Sequence, residues 1–169
     1  DSGTAIANVK KALEDPTTLA MIGLSGSTRG KAVLEAVGEE ILKRNIPFIT
    51  DQSIASSLAP YPNVFTMRPS QESERIPVIS RFLKDGKYAR PAFIGISDNP
   101  ASAELARLLR DGQGAQAPLV AEHAIPVKDG APSMMDLKAA VQDIKSKDAD
   151  IILVQLGAAA MEEFLKEAT

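Results

Sequence analysis

The sequence predicts an open α/β fold in which helices cover the faces of parallel sheets. Short apolar runs with the length of buried strands alternate along the chain with longer segments of helical periodicity. Such alternation favours parallel strands joined by right-handed helical crossovers. The composition agrees, because 44% of the residues are hydrophobic and only 4% are aromatic. The core must therefore be aliphatic, as is typical of parallel sheets.

The first half of the chain is expected to contain two helices and three strands. Ser2 or Thr4 can cap the first helix, which should stop at Asp15 because a residue before proline avoids the helical region. Lys43 and Asn45 favour the end of the second helix. The three strands are expected at residues 19–24, 46–50 and 64–67.

The second half continues the alternation. Strands are expected at residues 91–97, 119–125 and 149–156, each followed by a helix, and another helix is expected after Ser70. Pro77 should kink or delay that helix unless it lies in the first turn. The residues expected to face inward from the helices share helical spacing; they include Ile79, Phe82, Leu83, Met161, Phe164 and Leu165.

A loop of small hydroxyl residues follows the first expected strand, with Ser25, Gly26, Ser27 and Thr28 ahead of a helix. In such a unit the backbone N–H groups and the positive helix end point at a bound group, often an anion. Ligands of open α/β sheets bind at the carboxyl ends of strands, so this loop is a candidate site. The alternative is that Ser27 or Thr28 only caps the helix.

A second loop, residues 51–57, should leave the neighbouring strand at the same end of the sheet. It contains Gln52, Ser53 and Ile54. Two adjacent loops at one sheet edge strengthen the prediction of a binding site there.

Composition excludes several kinds of chemistry. The net charge is −3 and no basic cluster occurs, which argues against a nucleic-acid partner. The chain has no cysteine, so disulfides and thiolate mechanisms are excluded, and one histidine does not make a transition-metal site. No apolar run is long enough to cross a bilayer. We therefore expect no metal, no cofactor and no membrane insertion in this segment.

Single residues with possible chemistry also have ordinary structural interpretations. His123 is interpreted as a solvent-facing strand residue rather than a catalytic base. Arg68 either clamps a ligand carboxylate or stays solvated. Arg29 is expected to be solvated. Asp51 and Asp98 follow strands and could support acid–base or Mg²⁺ chemistry, although capping and turn roles are commoner for aspartate there.

Asp129 invites the same carboxylate interpretation and meets the same objection. Met134 and Met135 are expected to pack in or over the core rather than to contact a cofactor.

Five segments carry a resemblance to a known class of proteins. They are IGLSGSTRGKAVLEAV (22–37), IPFITDQSIASSL (46–58), NVFTMRPSQ (63–71), AFIGISDN (92–99) and DLKAAVQDIKSKDADIILVQLG (136–157). In this order and spacing they resemble extracellular ligand-binding receptors of the periplasmic binding protein type I class. The similarity is to the branch that binds branched-chain amino acids and amides.

This resemblance implies Rossmann-like parallel sheets with flanking helices in two partial lobes. Residues 1–68 would belong to the first lobe and residues 69–169 to the second, each lobe supplying one ligand-binding wall. The chain would correspond to the middle of a longer family chain, as a truncated receptor or a reduced sensor domain.

The resemblance also implies the site residues. Gly26 and Ser27 would meet a ligand carboxylate, whereas Ile54 stands where the family often has threonine, so that loop would rely on backbone N–H groups. Gly157 and the segment after Asp98 lack the aromatic residues that are frequent there, which implies a larger or more open pocket. The expected ligand contacts are Ser25, Gly26, Ser27, Thr28, Gln52, Ser53, Ile54, Arg68, Asp98, Asn99 and Gly157.

The implied function is that of a non-enzymatic, extracytoplasmic or periplasmic solute-binding or sensing module. Its ligand would be a small polar molecule such as an amino acid, an amide or a small carboxylate, held in a cleft between lobes that close by a hinge near Arg68. Its partner would be the membrane permease of an ABC transporter or a membrane-bound signalling protein.

Two alternatives stay open. The first is an α/β phosphosugar-binding enzyme that uses residues 25–28 as a phosphate cradle, although no G-x-S-x-G or Walker pattern occurs. The second is the effector-binding domain of a transcription regulator, which would need a helix-turn-helix upstream. Fold alone does not decide between these functions.

Overall fold

The computed structural model describes residues 1–51, 58, 60–112, 117–128 and 131–168. These residues form two compact units, Asp1–Gln71 (unit 1) and Glu72–Thr169 (unit 2). Each unit contains a parallel sheet with helices packed against it, which confirms the predicted α/β class. The assignment of residues 1–68 and 69–169 to two ligand-binding lobes stays a prediction.

Unit 1 contains two helices and a three-stranded sheet. Its elements are α1 (Ser2–Glu14), β1 (Met21–Gly23), α2 (Ser27–Lys43), β2 (Phe48–Thr50) and β3 (Val64–Thr66). The strands lie in the order β1-β2-β3, and both pairs are parallel. Their register aligns Gly23, Thr50 and Thr66, so the expected loops leave the sheet at one carboxyl edge.

One face of this sheet forms the core of unit 1. Met21 and Phe48 point from β1 and β2 into a cluster with Ile41 of α2, and these three side chains are almost fully buried. Side chains alternate along a strand, so Ile22 and Phe65 point to the opposite face. There Ile22 is 75% exposed and Phe65 is 54% exposed.

Unit 2 begins within a π-helical turn, Gln71–Arg75. Its other elements are α3 (Ile76–Asp85), β4 (Pro91–Ile96), α4 (Pro100–Arg110), β5 (Ala121–Ile125), β6 (Val127–Lys128), β7 (Ala131–Pro132), α5 (Met134–Ser146), β8 (Ile151–Gln155) and α6 (Ala158–Ala168). Strands β5-β4-β8 form a parallel sheet with β4 in the centre. The short strands β6 and β7 pair antiparallel.

Strand β4 is covered on both faces. Ile94 points into a cluster that includes Leu137 of α5, whereas Phe93 points into a cluster that includes Leu108 of α4. All four side chains are at most 2% exposed. A strand buried on both faces reads as a continuous apolar run, which explains why β4 was recognisable in the sequence.

The segment before β4 is anchored to the segment before β8. The two carboxylate oxygens of Asp150 accept hydrogen bonds from the backbone N–H groups of Ala89 (2.7 Å) and Arg90 (3.0 Å). In return, Nε of Arg90 donates to the carbonyl oxygen of Asp148 at 3.0 Å. These contacts hold the two neighbouring strands together at their amino ends.

Helix boundaries set by proline match the prediction, but the first cap does not. Helix α1 ends at Glu14 with Asp15 as its C-cap, and Pro77 lies in the first turn of α3, where proline is tolerated. The cap of α1 is Asp1 rather than Ser2 or Thr4. Its Oδ1 accepts from the Thr4 N–H at 2.7 Å.

Three residues expected to pack in or over the core are exposed instead. Phe82 is 56% exposed, Leu165 is 55% exposed and Met135 is 78% exposed. In α3 the buried positions are Ile76 and Leu83, which lie on one helical face, so the adjacent Phe82 points away from it. The predicted inward faces were wrong at these positions.

Candidate functional site

The loop between β1 and α2 has an unusual backbone. Gly23 and Gly26 have φ angles of 143° and 95°, and the intervening Leu24 has φ of 64°. A bulky residue in the left-handed region is strained, and such strain concentrates where a site fixes the backbone. The candidate loop is therefore held in a conformation that residue preferences alone do not favour.

Helix α2 has a glycine at its N-cap position. Because the N-cap is Gly26, the alternative that Ser27 or Thr28 is the N-cap residue is wrong. Ser27 is the first helical residue and is 5% exposed. No acidic residue lies in the first turn. The positive end of the dipole of this 17-residue helix therefore lies at the candidate loop.

Arg29 is exposed, as expected from the sequence, and it also contacts the loop. Its Nε donates to the carbonyl oxygen of Ser25 at 2.6 Å, four residues earlier. The guanidinium adds positive charge in the first turn of α2.

The carboxyl end of β2 contributes a residue that the sequence analysis missed. Thr50 is 0% exposed, and its Oγ1 has no hydrogen-bond partner among the residues that the structure describes. It lies opposite Gly23 in the parallel register. Its position directly before the candidate loop 51–57 was the available signal. Gln52, Ser53 and Ile54 lie outside the described residues.

Arg68 lies just beyond β3 in unit 1 and is exposed. The Met67 N–H preceding it donates to the Thr50 carbonyl oxygen at 3.0 Å, which continues the β2–β3 pairing to this point. Residues 25–28, Thr50 and Arg68 therefore all lie at the carboxyl ends of strands, on the same edge of the unit 1 sheet.

In unit 2, Asp98 and Asn99 follow β4. Asn99 is the N-cap of α4, and its Oδ1 accepts from the Ala101 N–H at 2.9 Å. That bond gives Asn99 a structural role, whereas Asp98 is exposed. Contacts of either residue with a ligand stay a prediction.

Gly157 follows β8, the neighbour of β4, so it lies at the same sheet edge as Asp98. Its carbonyl oxygen accepts from the Met161 N–H at 2.8 Å, in the first turn of α6. A Cβ atom built on Gly157 would meet only Cδ1 of Ile96, at 4.0 Å. The fold leaves space at this position.

His123 is not simply solvent-facing. It shares a face of β5 with Ala121 and Ile125, toward α5, and its Nε2 lies 2.8 Å from Oδ2 of Asp143. The Lys147 ammonium donates to the same oxygen at 2.9 Å. Strand alternation places His123 on the helix side, which is why the interpretation as a solvent-facing residue was wrong.

The Lys147 and His123 hydrogen bonds lower the pKa of Asp143 below its ordinary value of 3.8. A carboxylate with a depressed folded-state pKa stabilises the fold above its unfolded pKa and loses that contribution as the pH falls through the folded-state pKa. We expect Asp143→Asn to flatten the stability loss of the chain below about pH 4. Denaturant midpoints measured across that range check this.

Lys147→Met removes the largest cause of the shift and should flatten the same profile partly. Parallel profiles of wild type and Asp143→Asn below about pH 4 would contradict the assignment.

Within the described ranges, no three His, Cys, Asp or Glu side chains group as metal ligands would. Asp129, one of the carboxylates considered from the sequence, lies outside those ranges. Among the described residues, no helix has the length and apolarity needed to span a membrane.

Comparison with protein families gives a match to the model described as "Periplasmic binding protein", over residues 1–169. Comparison with curated proteins gives no match.

Solved structures of solute-binding proteins share the fold. One is an R. palustris ABC-transporter solute-binding protein in complex with 4-hydroxybenzoate, with a TM-score of 0.78, 17% identity, and coverage of 99% of this chain and 43% of that chain. A second, a substrate-binding protein from Aeropyrum pernix, has a TM-score of 0.77 and 14% identity, with 99% and 42% covered. A third, from Desulfitobacterium hafniense in complex with Leu, has a TM-score of 0.71 and 17% identity, with 99% and 48% covered.

The chain thus spans less than half the length of these solved structures. At this level of identity the likeness shows the fold, and the family match over the whole chain shows the family. The chain belongs to the periplasmic binding protein family.

Proposed function

We propose that this chain is part of an extracytoplasmic solute-binding protein and that the N-terminus of α2 binds a carboxylate group of the solute. The observation that carries the proposal is the start of α2 at a glycine N-cap, Gly26, with no acidic residue in the first turn. An anion at a helix N-terminus accepts hydrogen bonds from N–H groups that lack partners within the helix and meets the positive end of its dipole.

The electrostatics around this helix start favour an anion. The first turn contains no Asp or Glu, and Arg29 lies in it. A partly buried anion at a helix N-terminus gains about 1–2 kcal/mol from the dipole. Ser27 and Thr28 add hydroxyl groups that suit a carboxylate oxygen.

The ligands of the solved structures support a carboxylate. Their complexes contain 4-hydroxybenzoate, 3,4-dihydroxybenzoic acid and Leu. These molecules differ in size and in their other polar groups, but each carries one carboxyl group. We therefore propose that the carboxylate is the constant part of the ligand. The rest of the ligand would contact the other candidate residues: Gln52, Ser53, Ile54, Arg68, Asp98, Asn99 and Gly157.

We propose binding and delivery rather than catalysis. The solved structures carry the names of ABC-transporter components, which supports a membrane permease as the partner. A membrane-bound signalling protein is the alternative partner. The one histidine pairs with Asp143, so it is not poised as a base for the serines of residues 25–28.

A thermal-shift comparison tests the proposal. We expect 4-hydroxybenzoate or leucine to raise the melting temperature with increasing concentration, whereas 4-hydroxybenzamide and leucinamide should not, because a neutral amide gains little from the helix dipole. Ser27→Ala should weaken binding of the carboxylate by about threefold to tenfold, which corresponds to the loss of one hydrogen bond.

Ser80→Ala, an equivalent change in α3, serves as the matched control and should leave the response intact. Equal shifts with acid and amide would contradict carboxylate binding. A larger shift with a phosphosugar than with any carboxylate would favour the phosphosugar-binding alternative.

A further inference from the structure

Leu24 combines a strained backbone with a side chain that packs against the core of unit 1. Its φ of 64° lies in the left-handed region, which the Cβ atom makes costly for residues other than glycine. Its half-buried side chain packs against the cluster that contains Met21 and Phe48. Leu24 therefore connects the core of unit 1 to the loop of residues 25–28, which begins at the next residue.

A glycine at position 24 would adopt this φ without strain. The chain has glycines with positive φ before and after it, Gly23 and Gly26, but a leucine between them. Apart from its chain neighbours, a Cβ atom on Gly23 would meet nothing within 4 Å, so packing does not fix the backbone there. The free energy gained by burying the leucine side chain must offset the strain, and Leu24 is thus a point at which the core fixes the loop.

Arg29 holds the residue that follows. Its Nε donates to the carbonyl oxygen of Ser25, so this bond joins the first turn of α2 to the peptide unit next to Leu24. A change of Leu24 to an extended or right-handed backbone would rotate that carbonyl group away from Arg29. The backbone of Leu24 therefore sets the direction in which the chain enters α2.

We infer that Leu24 is a positioning residue for the solute: its packed side chain keeps residues 25–28 in the binding geometry before the solute arrives. The inference rests on the proposed binding of a carboxylate at the N-terminus of α2. A loop that is already ordered loses little conformational freedom on binding, so the solute is bound more tightly than by a flexible loop of the same residues. If the binding geometry fell to about a tenth of the population, the apparent affinity would fall about tenfold.

Isothermal titration calorimetry with 4-hydroxybenzoate and leucine tests the inference. Leu24→Gly removes both the strain and the packed side chain, so we expect the dissociation constant to rise by about tenfold. Leu24→Met keeps an apolar side chain of similar volume and should bind within about twofold of wild type.

Leu24→Ala and Leu13→Ala form a matched pair. Leu13 of α1 is also half-buried against the unit 1 core, so both substitutions remove a similar apolar contact and should lower the melting temperature. Only Leu24→Ala should also weaken solute binding, because Leu13 does not adjoin the loop.

Hydrogen exchange of the free protein gives a readout that a merely structural role would not move. Leu24→Gly should speed exchange at Ser27 and Thr28 by about tenfold or more, whereas the interior of α2 should exchange as in wild type. Equally faster exchange along the whole of α2 would assign Leu24 to stability alone and would overturn the inference.

The outcomes separate this inference from the proposed function. Equal dissociation constants for wild type, Leu24→Gly and Leu24→Ala would overturn the role of Leu24 and leave carboxylate binding intact. A wild-type protein that binds neither solute would overturn the proposed function and the inference with it. Circular dichroism shows whether Leu24→Gly folds; if it does not, the pair Leu24→Ala and Leu13→Ala decides.

Discussion

Replacing Asn63 by Asp is expected to lower the free energy of unfolding by about 3 kcal/mol or more. Asn63 is 8% exposed, and its Nδ2 donates to the carbonyl oxygens of Ile41 (3.2 Å) and Ile46 (2.7 Å). It thereby ties the end of α2 and the start of the next strand segment to β3. The aspartate side chain would instead place a carboxylate oxygen against these two carbonyl oxygens. Neither carbonyl oxygen can donate a hydrogen bond to the carboxylate.

Denaturant unfolding at neutral pH measures the effect. Asn63→Leu, which removes the donors without adding charge, should cost about 2 kcal/mol, less than the aspartate. Asn45→Asp is the matched control: Asn45 is exposed, has φ of 52°, and lies at the same end of α2. That control should change stability by no more than about 0.5 kcal/mol. Equal losses for Asn63→Asp and Asn45→Asp would contradict the role assigned to Asn63.

Gly95→Val is expected to lower the free energy of unfolding by about 2–3 kcal/mol through overpacking. Gly95 lies in the central strand β4, and a Cβ atom there would stand 2.9 Å from Cζ of Phe93 and 3.1 Å from Cβ of Ser102. Neither neighbour can move freely, since Phe93 is 2% exposed and Ser102 is 3% exposed. The absent side chain lets α4 approach β4 closely, and α4 is the helix that follows Asp98.

A substitution by valine in the neighbouring strand separates the effect of packing from the effect of strand propensity. Ala124 is the register partner of Gly95 in β5 and is exposed, so Ala124→Val should be nearly neutral. Gly95→Ala should cost less than Gly95→Val, and Phe93→Leu should partly rescue Gly95→Ala by removing the ring atoms that it meets. A loss for Gly95→Val no larger than that for Ala124→Val would contradict the packing account.

Much of the fold was predictable because it depends on local patterns. Strand β4 was recognisable because it is buried on both faces, and Pro100 and Asp15 marked helix ends through constraints that act on adjacent residues. The face of α3 that points inward was not predictable in the same way. Its periodic residues allow more than one inward face, and packing selected Ile76 over Phe82.

The candidate site was predictable as a loop but not in its details. Small residues at 25–28 after an apolar run indicated a strand–loop–helix unit, which the structure contains. The left-handed Leu24 could not be foreseen, because leucine disfavours that conformation and only the surrounding structure holds it there. The His123–Asp143 pair spans 20 residues and depends on the packing of β5 against α5, which no local pattern encodes.

The most direct test of carboxylate binding at α2 is a heteronuclear NMR titration that follows the backbone amides of Ser27 and Thr28. With 4-hydroxybenzoate or leucine we expect these two amide signals to shift at saturation, and to shift much less with 4-hydroxybenzamide or leucinamide at the same concentration. Binding of the carboxylates without any change at Ser27 and Thr28 would contradict the account.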